Sequence, residues 1–248
     1  MGEWQLVDGD VTIAGDLVLR PARPWSATVH ALLAHLRAHG LDCVPDPVGI
    51  RDDIEAVRFI PGDAGPEAWP HQISVEGVAS AAALLRRVHD ATRDFHPDPD
   101  ATWAFPPVPG DGAVCQGDPG PWNFVWRDGV AVALIDWENA SPAPALDDVA
   151  VALDAFAPCR PDDVARGHGF VDPPDRRARI RAFASAYGTG GTAGLVDRVI
   201  DRQQTAVARV LDLAERGLEP WASWVQSGGL DDLRARTRWT REHRHLLE

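Results

Sequence analysis

Near the N-terminus, apolar residues come in short alternating runs that turn dipeptides cut apart. Residues 4–7, 11–13 and 17–20 read as three strands, separated by Asp8-Gly9-Asp10 and Gly15-Asp16. Then the period changes. Val29, Leu32, Leu33 and Leu36 fall on one face of a helix over 24–39, which Gly40 stops. Residues 44–50 and 55–59 read as two more strands around the acidic turn Arg51-Asp52-Asp53, and Ile60-Pro61-Gly62 breaks the second. Residues 63–72, rich in Pro and Gly, read as a crossing loop. Beyond it the helical period dominates, with helices over 74–95, 146–157, 175–187, 195–217 and 230–247 and a shorter one carrying Trp221 and Trp224. Residues 96–112 and 160–174 read as loops. One stretch departs from the helical pattern: apolar runs 124–126 and 130–135 flank Asp128-Gly129, a strong hairpin signal. The pattern is α+β, a small antiparallel sheet with one helix followed by a larger, mainly helical part.

The hairpin carries the candidate chemistry. Gln116-Gly117-Asp118 leads into a short loop of Pro and Gly and then Asn123, and the second hairpin strand ends at Asp136. A phosphoryl-transfer site needs a carboxylate to accept a hydroxyl proton. It also needs an amide oxygen and a second carboxylate to hold magnesium against nucleotide phosphates. Asp118 is expected to be the base, and Asn123 and Asp136 the metal ligands. Each alone is more simply a turn residue or a helix cap. All three in this order around one hairpin are much harder to obtain by chance.

These residues resemble the catalytic core of the aminoglycoside phosphotransferase family, which is related to choline kinases. The family's loop runs His-Gly-Asp, four residues, Asn; Gln116-Gly117-Asp118 and Asn123 stand in those places. Its metal-binding Asp follows a strand as Ile-Asp-Trp or Ile-Asp-Phe, here Ile135-Asp136-Trp137. A later Asp at a helix start matches Asp148-Val149-Ala150. The likeness is strong over 114–153, fair over 11–95 and weak beyond. It implies a two-lobed protein-kinase-like fold, with residues 1–61 as a nucleotide-binding lobe and 62–248 as a catalytic and substrate-binding lobe. It also implies transfer of the terminal phosphoryl of ATP or GTP, with Mg2+, to a hydroxyl of a sugar, aminocyclitol or amino-alcohol.

The same resemblance assigns supporting roles. Gln116, in place of His, is expected to hold the loop by hydrogen bonds, and Asp148 to brace it. Arg20 ends the strand where the family has a phosphate-gripping lysine. Phe59 and Ile60 stand at the hinge that meets the adenine ring, with Ile60 the nearer source of an amide because Pro61 has none. The family's first helix supplies a glutamate to the lysine, yet no Asp or Glu occurs in residues 21–41. The usual ion pair is therefore expected to be absent, and His30, His35 and His39 read as surface or packing residues. His89, at the end of the next helix, reads as structural. These losses favour an alternative, a catalytically weak kinase-like protein that binds a nucleotide or ligand for regulation. The retained Asp118, Asn123 and Asp136 oppose it.

Composition alters this picture in a few respects. The chain has no lysine, and all 24 of its Lys-or-Arg positions are arginine. The net charge of −13 argues against nucleic acid as a partner. It would suit a cationic small molecule, although such acidity more often serves solubility. Cys43, Cys115 and Cys159 lack metal-ligand spacing and read as free buried thiols. No apolar run approaches a membrane span, and the first residues lack a basic region followed by an apolar one, so a cytoplasmic enzyme without membrane contact is expected. The 10 tryptophans are many. An aromatic wall beside acidic groups would bind an amine or sugar ring, although packing explains each singly. Nothing in the pattern sets the oligomeric state.

Overall fold

A computed structural model describes residues 4–6, 11–217, 219 and 221–248. Its N-terminal part is a four-stranded antiparallel sheet of β1 (Thr12–Ala14), β2 (Leu17–Pro21), β3 (Pro47–Arg51) and β4 (Ile54–Arg58), in the order β1-β2-β4-β3. Helix α1 (Ser26–Ala38) joins β2 to β3 and buries Val29, Leu32, Leu33 and Leu36, the face its periodicity marks. The β3–β4 turn places both Asp52 and Asp53 at positive φ (48° and 61°), the conformation a two-residue hairpin needs and that Asp tolerates. The strand expected over 4–7 does not form across Trp4–Leu6. Trp4 instead lies under the Arg51 guanidinium, 4.6 Å from the ring centre, at the opposite edge of the sheet from β1. The turn Asp8-Gly9-Asp10 lies outside the described residues.

The chain leaves the sheet through a tight passage. At Gly62 (φ 143°), a Cβ would sit 2.5 Å from Val125 Cγ1 and 2.7 Å from the Trp126 carbonyl. The crossing segment is not an irregular loop but a 3-10 helix, Gly65–Gln72. Pro66 and Pro70 lack amide hydrogens, which suits a short 3-10 run better than an α-helix. Ser74 then caps α2 (Val75–Thr92) by accepting from the Gly77 amide.

The helical part follows with a small β insertion. Strand β5 (Val114–Cys115) precedes the hairpin of β6 (Phe124–Arg127) and β7 (Val130–Leu134), and pairs with β8 (Ser141–Pro142). Then come α3 (Ala145–Phe156), α4 (Asp162–Gly167), α5 (Arg176–Tyr187), α6 (Leu195–Glu215), α7 (Trp221–Gln226) and α8 (Gly229–Glu242). The expected loop over 160–174 thus contains α4, with Asp162 and Asp163 favourably placed in its first turn. One apolar cluster joins α1, α2, the hairpin, α3 and α5, so sheet and helices share a core. Trp126 and Trp137 belong to it, and the three cysteines are free and buried, as expected. Among the described residues no helix is long and apolar enough to cross a membrane.

Arg179 ties this arrangement together. It is 4% exposed, and its guanidinium donates to the carbonyls of Phe156 at the end of α3 and of Gln72 and Ile73 ahead of α2. Burial pushes its pKa down to about 10. Arg179→Met keeps the bulk but strands buried carbonyls; chemical denaturation should show a loss of about 2–4 kcal/mol.

Candidate active site

The loop after β5 is fixed from two sides. Asp148, in the first turn of α3 and 1% exposed, accepts the backbone amides of Gln116 (2.6 Å) and Gly117 (2.9 Å). The same carboxylate lies 3.1 Å from His89 Nε2, and His89 Nδ1 lies 2.8 Å from the Tyr187 hydroxyl. On the other side, Gln116 Nε2 donates to the carbonyls of Ile135 (2.9 Å) and Asp136 (2.5 Å), and its Oε1 accepts the Asp118 amide (2.8 Å). A neutral amide can donate and accept at once, which suits it to linking the two segments. Gly117 has φ 97°, and a Cβ there would lie 2.4 Å from the Asn139 carbonyl. Only glycine fits.

This bracing presents Asp118, Asn123 and Asp136 together. Asp118 Oδ2 accepts from Trp122 Nε1 (3.0 Å) and Asn123 Nδ2 (3.1 Å). Asn123 is itself tied to the end of β7, where its carbonyl accepts the Ile135 amide (2.8 Å). Asp136 follows in the left-handed region (φ 57°, ψ 67°), a conformation that Asp adopts more readily than most residues. The Asp118 carboxyl is pushed up to about 6 from 3.8, first by burial, then by the negative charges of Asp136 and Asp148. The Trp122 and Asn123 hydrogen bonds offset only part of this.

Helix α1 carries no acid, so the usual helix–strand pair does not form, but Arg20 finds acidic partners on other elements. The antiparallel register sets Arg20 opposite Glu55 on β4, and Arg20 Nε donates to Glu55 Oε1. Arg20 Nη1 donates to Asp136 Oδ1 at 2.7 Å. The acid comes from the neighbouring strand, and α1 contributes His30, whose Nε2 lies 3.3 Å from Glu55 Oε2. His30 is therefore not simply a surface or packing residue. Burial pushes the Glu55 carboxyl up, but His30, Arg20 and Ser26 more than reverse this and hold it at about 2. Sequence reasoning missed Glu55. Pairing β2 directly with β4, rather than assuming the kinase pattern, would have indicated it. Glu138 was also missed; burial and Asp136 raise its carboxyl.

Two cavities meet at Trp122. The larger, about 630 Å³, lies between sheet and hairpin and is lined by Arg20, Phe59, Ile60, Asn123 and Asp136 among others. The Phe59 amide is occupied by the Asp16 carbonyl (2.8 Å), so Phe59 offers the cleft its ring rather than its N–H. The smaller cavity, about 280 Å³, has Asp118 on its wall. Asp118 thus lines the smaller cavity and Asn123 and Asp136 the larger, with Asp118 and Asn123 hydrogen-bonded to each other where the two meet. The Asn123 and Asp136 donors suit a hard cation such as magnesium, which takes oxygen ligands and retains waters. Asn123 Nδ2 is committed to Asp118, which leaves the amide oxygen for a cation, and Arg20 engages only one Asp136 oxygen. Among the described residues, His89, Cys115 and Asp148 also bring ligand atoms within 4.8 Å of one another. All three are buried and already bonded to protein groups, so they read as the loop's brace.

Two measurements check these electrostatics. Carbon-detected NMR should place the Asp118 titration near 6, and Asp136→Asn should lower it by removing a neighbouring negative charge. Glu55→Gln, by leaving Arg20 without its buried counter-charge, should cost about 3 kcal/mol at neutral pH. A depressed carboxyl stabilises fully above its unfolded value of about 4.5 and loses that contribution as pH falls through about 2. The difference between variant and parent should therefore shrink across that window.

Comparison with known proteins places the chain. The model of the phosphotransferase enzyme family matches residues 100–183. The trifolitoxin immunity protein of Rhizobium leguminosarum bv. trifolii is 36% identical over 254 aligned positions, covering 96% of this chain and 93% of the relative. Among solved structures, the GDP complex of aminoglycoside 2'-phosphotransferase-IIIa superposes with a TM-score of 0.56 at 15% identity, over 90% of this chain and 87% of that one. A choline/ethanolamine kinase family protein from Mesorhizobium loti gives 0.52 at 14% identity, over 97% and 93%. At such identities these two structures speak to the fold, a kinase-like one. The relative matched along nearly its whole length, together with the family match over residues 100–183, shows that this chain belongs to the phosphotransferase enzyme family, as a small-molecule phosphotransferase with a hydroxyl as acceptor.

Proposed function

We propose that the protein transfers the terminal phosphoryl group of ATP or GTP to a hydroxyl of a small metabolite, with residues 1–61 serving as the nucleotide lobe and 62–248 as the catalytic lobe. The observation that carries this reading is the placement of Asp118, Asn123 and Asp136 on one braced loop-and-hairpin unit between two cavities. The nucleotide occupies the larger cavity, with its base near Phe59 and Ile60 and its phosphates toward Arg20. Magnesium held by Asn123 and Asp136 would neutralise phosphate charge there. The acceptor enters the smaller cavity. Asp118 orients its hydroxyl and takes the proton as the new oxygen–phosphorus bond forms and the bond to the nucleoside diphosphate breaks. A carboxyl raised to about 6 is a better-matched base near neutrality than an ordinary aspartate.

The grounds for a silent regulatory protein are weaker than the sequence suggests. Glu55 supplies an acid to Arg20, and Gln116 makes the loop contacts expected of the position where the family has His. The Rhizobium relative is named for immunity to trifolitoxin. Carried over to this chain, that name would make the acceptor a toxic compound disarmed by phosphorylation. Asp118→Asn should lower kcat by roughly 10²–10⁴-fold while nucleotide affinity stays unchanged and Tm does not fall, since a buried charge is removed. Full turnover in this variant would remove the mechanism.

A further inference from the structure

The cavity on the acceptor side of Trp122 has an unexpected lining for a protein of net charge −13. Asp118 and Asp154 are its carboxylates, and Arg160, Arg202, Arg209 and Arg236 its guanidinium groups. The arginines come from separate parts of the chain: the segment after α3, helix α6 twice, and helix α8. Their charge is incompletely answered by the protein. Arg160 and Arg236 share Asp154, at 3.9 Å and 3.3 Å. Arg202 reaches Asp147 at 3.6 Å, but that carboxylate is already bonded to Arg198 at 2.7 Å. Arg209 forms no ion pair among the described residues and rests on the Phe105 ring, 4.2 Å from its centre. The Nε atoms of Arg160 and Arg202 are buried without a hydrogen-bond partner, as is Oε1 of Gln203 beside them, while Arg236 Nε has only the shared Asp154 carboxylate, 3.3 Å away. Buried polar groups are normally satisfied, so four guanidinium groups lining one cavity, answered only by the shared carboxylates of Asp154 and Asp147, mark a place for an acceptor-rich ligand.

We propose that this cavity binds an anion, and that the phosphoryl acceptor is a hydroxy compound carrying an oxyanion, phosphate or carboxylate, on the side away from its reacting hydroxyl. The net charge of the chain points to a cation, but the local lining is what a bound molecule meets. A Coulomb interaction across a few ångströms in a shielded cavity outweighs one with distant surface charges screened by salt. Burial and the neighbouring Arg202 charge depress the Arg209 pKa to about 10, as expected of a cation awaiting a counter-ion. The cavity's modest volume, about 280 Å³, suits a small metabolite. Trp122 and Trp221 supply the flanking aromatic surface, with the arginines in place of the acidic wall expected for an amine. Naming this cavity as the acceptor site rests on the kinase reading above; the anion preference does not.

The test is calorimetric titration of inorganic phosphate, glycerate and glucosamine into protein saturated with magnesium and ADP, which occupies the nucleotide side. Phosphate or glycerate should bind and glucosamine should not, and the relative affinity of the two anions identifies the oxyanion. The double variant Arg202→Gln/Arg209→Gln should weaken anion binding by about tenfold or more with ADP affinity unchanged. If that variant does not fold, Arg209→Gln alone should show the same direction, because Arg209 makes no ion pair among the described residues. Anion binding that is absent or unaltered in these variants, or preferential binding of glucosamine, overturns the proposal. Failure of ADP to bind sinks the kinase reading instead, and the anion titration is then read on the free protein.

Discussion

The carboxylate of Asp148 is the point on which the site depends. It is a buried charge, tolerable only because two backbone amides and the His89 ring meet it. Those amides belong to Gln116 and Gly117, so satisfying the charge also fixes the backbone that carries Asp118. Gln116 then spends its side chain on the carbonyls of Ile135 and Asp136. The loop and the hairpin strand, distant in sequence, become one rigid unit. Asn123 completes it through the Ile135 amide and the Asp118 carboxylate. On the proposed role, an aspartate held this way needs little reorganisation, and the same enclosure raises its pKa.

The absence of lysine shapes the other half of the site. A lysine would present a single charged point; the Arg20 fork reaches Glu55 and Asp136 at once, joining β4 to the end of β7 across the cleft. With Glu55 supplied by the neighbouring strand, α1 carries no acid and contributes His30 instead. The ion pair has moved from helix–strand to strand–strand while remaining beside the same aspartate. Arginine recurs on the far side of Trp122, where its half-buried forks outnumber the carboxylates.

Much of this could be read from residue order, and the failures have physical causes. The hairpin was legible because Asp128 and Gly129 both take positive φ, which few other dipeptides allow. The α1 face was legible because Val29, Leu32, Leu33 and Leu36 repeat at the helical period and all are buried. The 3-10 segment was not, since Pro and Gly also mark irregular loops. Glu55 was missed because its partner is set by a strand register skipping α1 and β3. The arginine cavity was invisible for a similar reason: Arg160, Arg202, Arg209 and Arg236 look like ordinary surface positions until the helices pack. Local chemistry shows in the chain; convergence of distant segments does not.

The central claim is that the braced loop and the hairpin end form one cation-and-phosphate site beside Asp118. A crystal structure with magnesium and a non-hydrolysable nucleotide addresses it most directly. The account predicts the metal between the Asn123 amide oxygen and the Asp136 carboxylate, the phosphates toward Arg20, and Asp118 facing the cavity beyond Trp122. Nucleotide bound elsewhere, or a metal held away from Asn123 and Asp136, would contradict it.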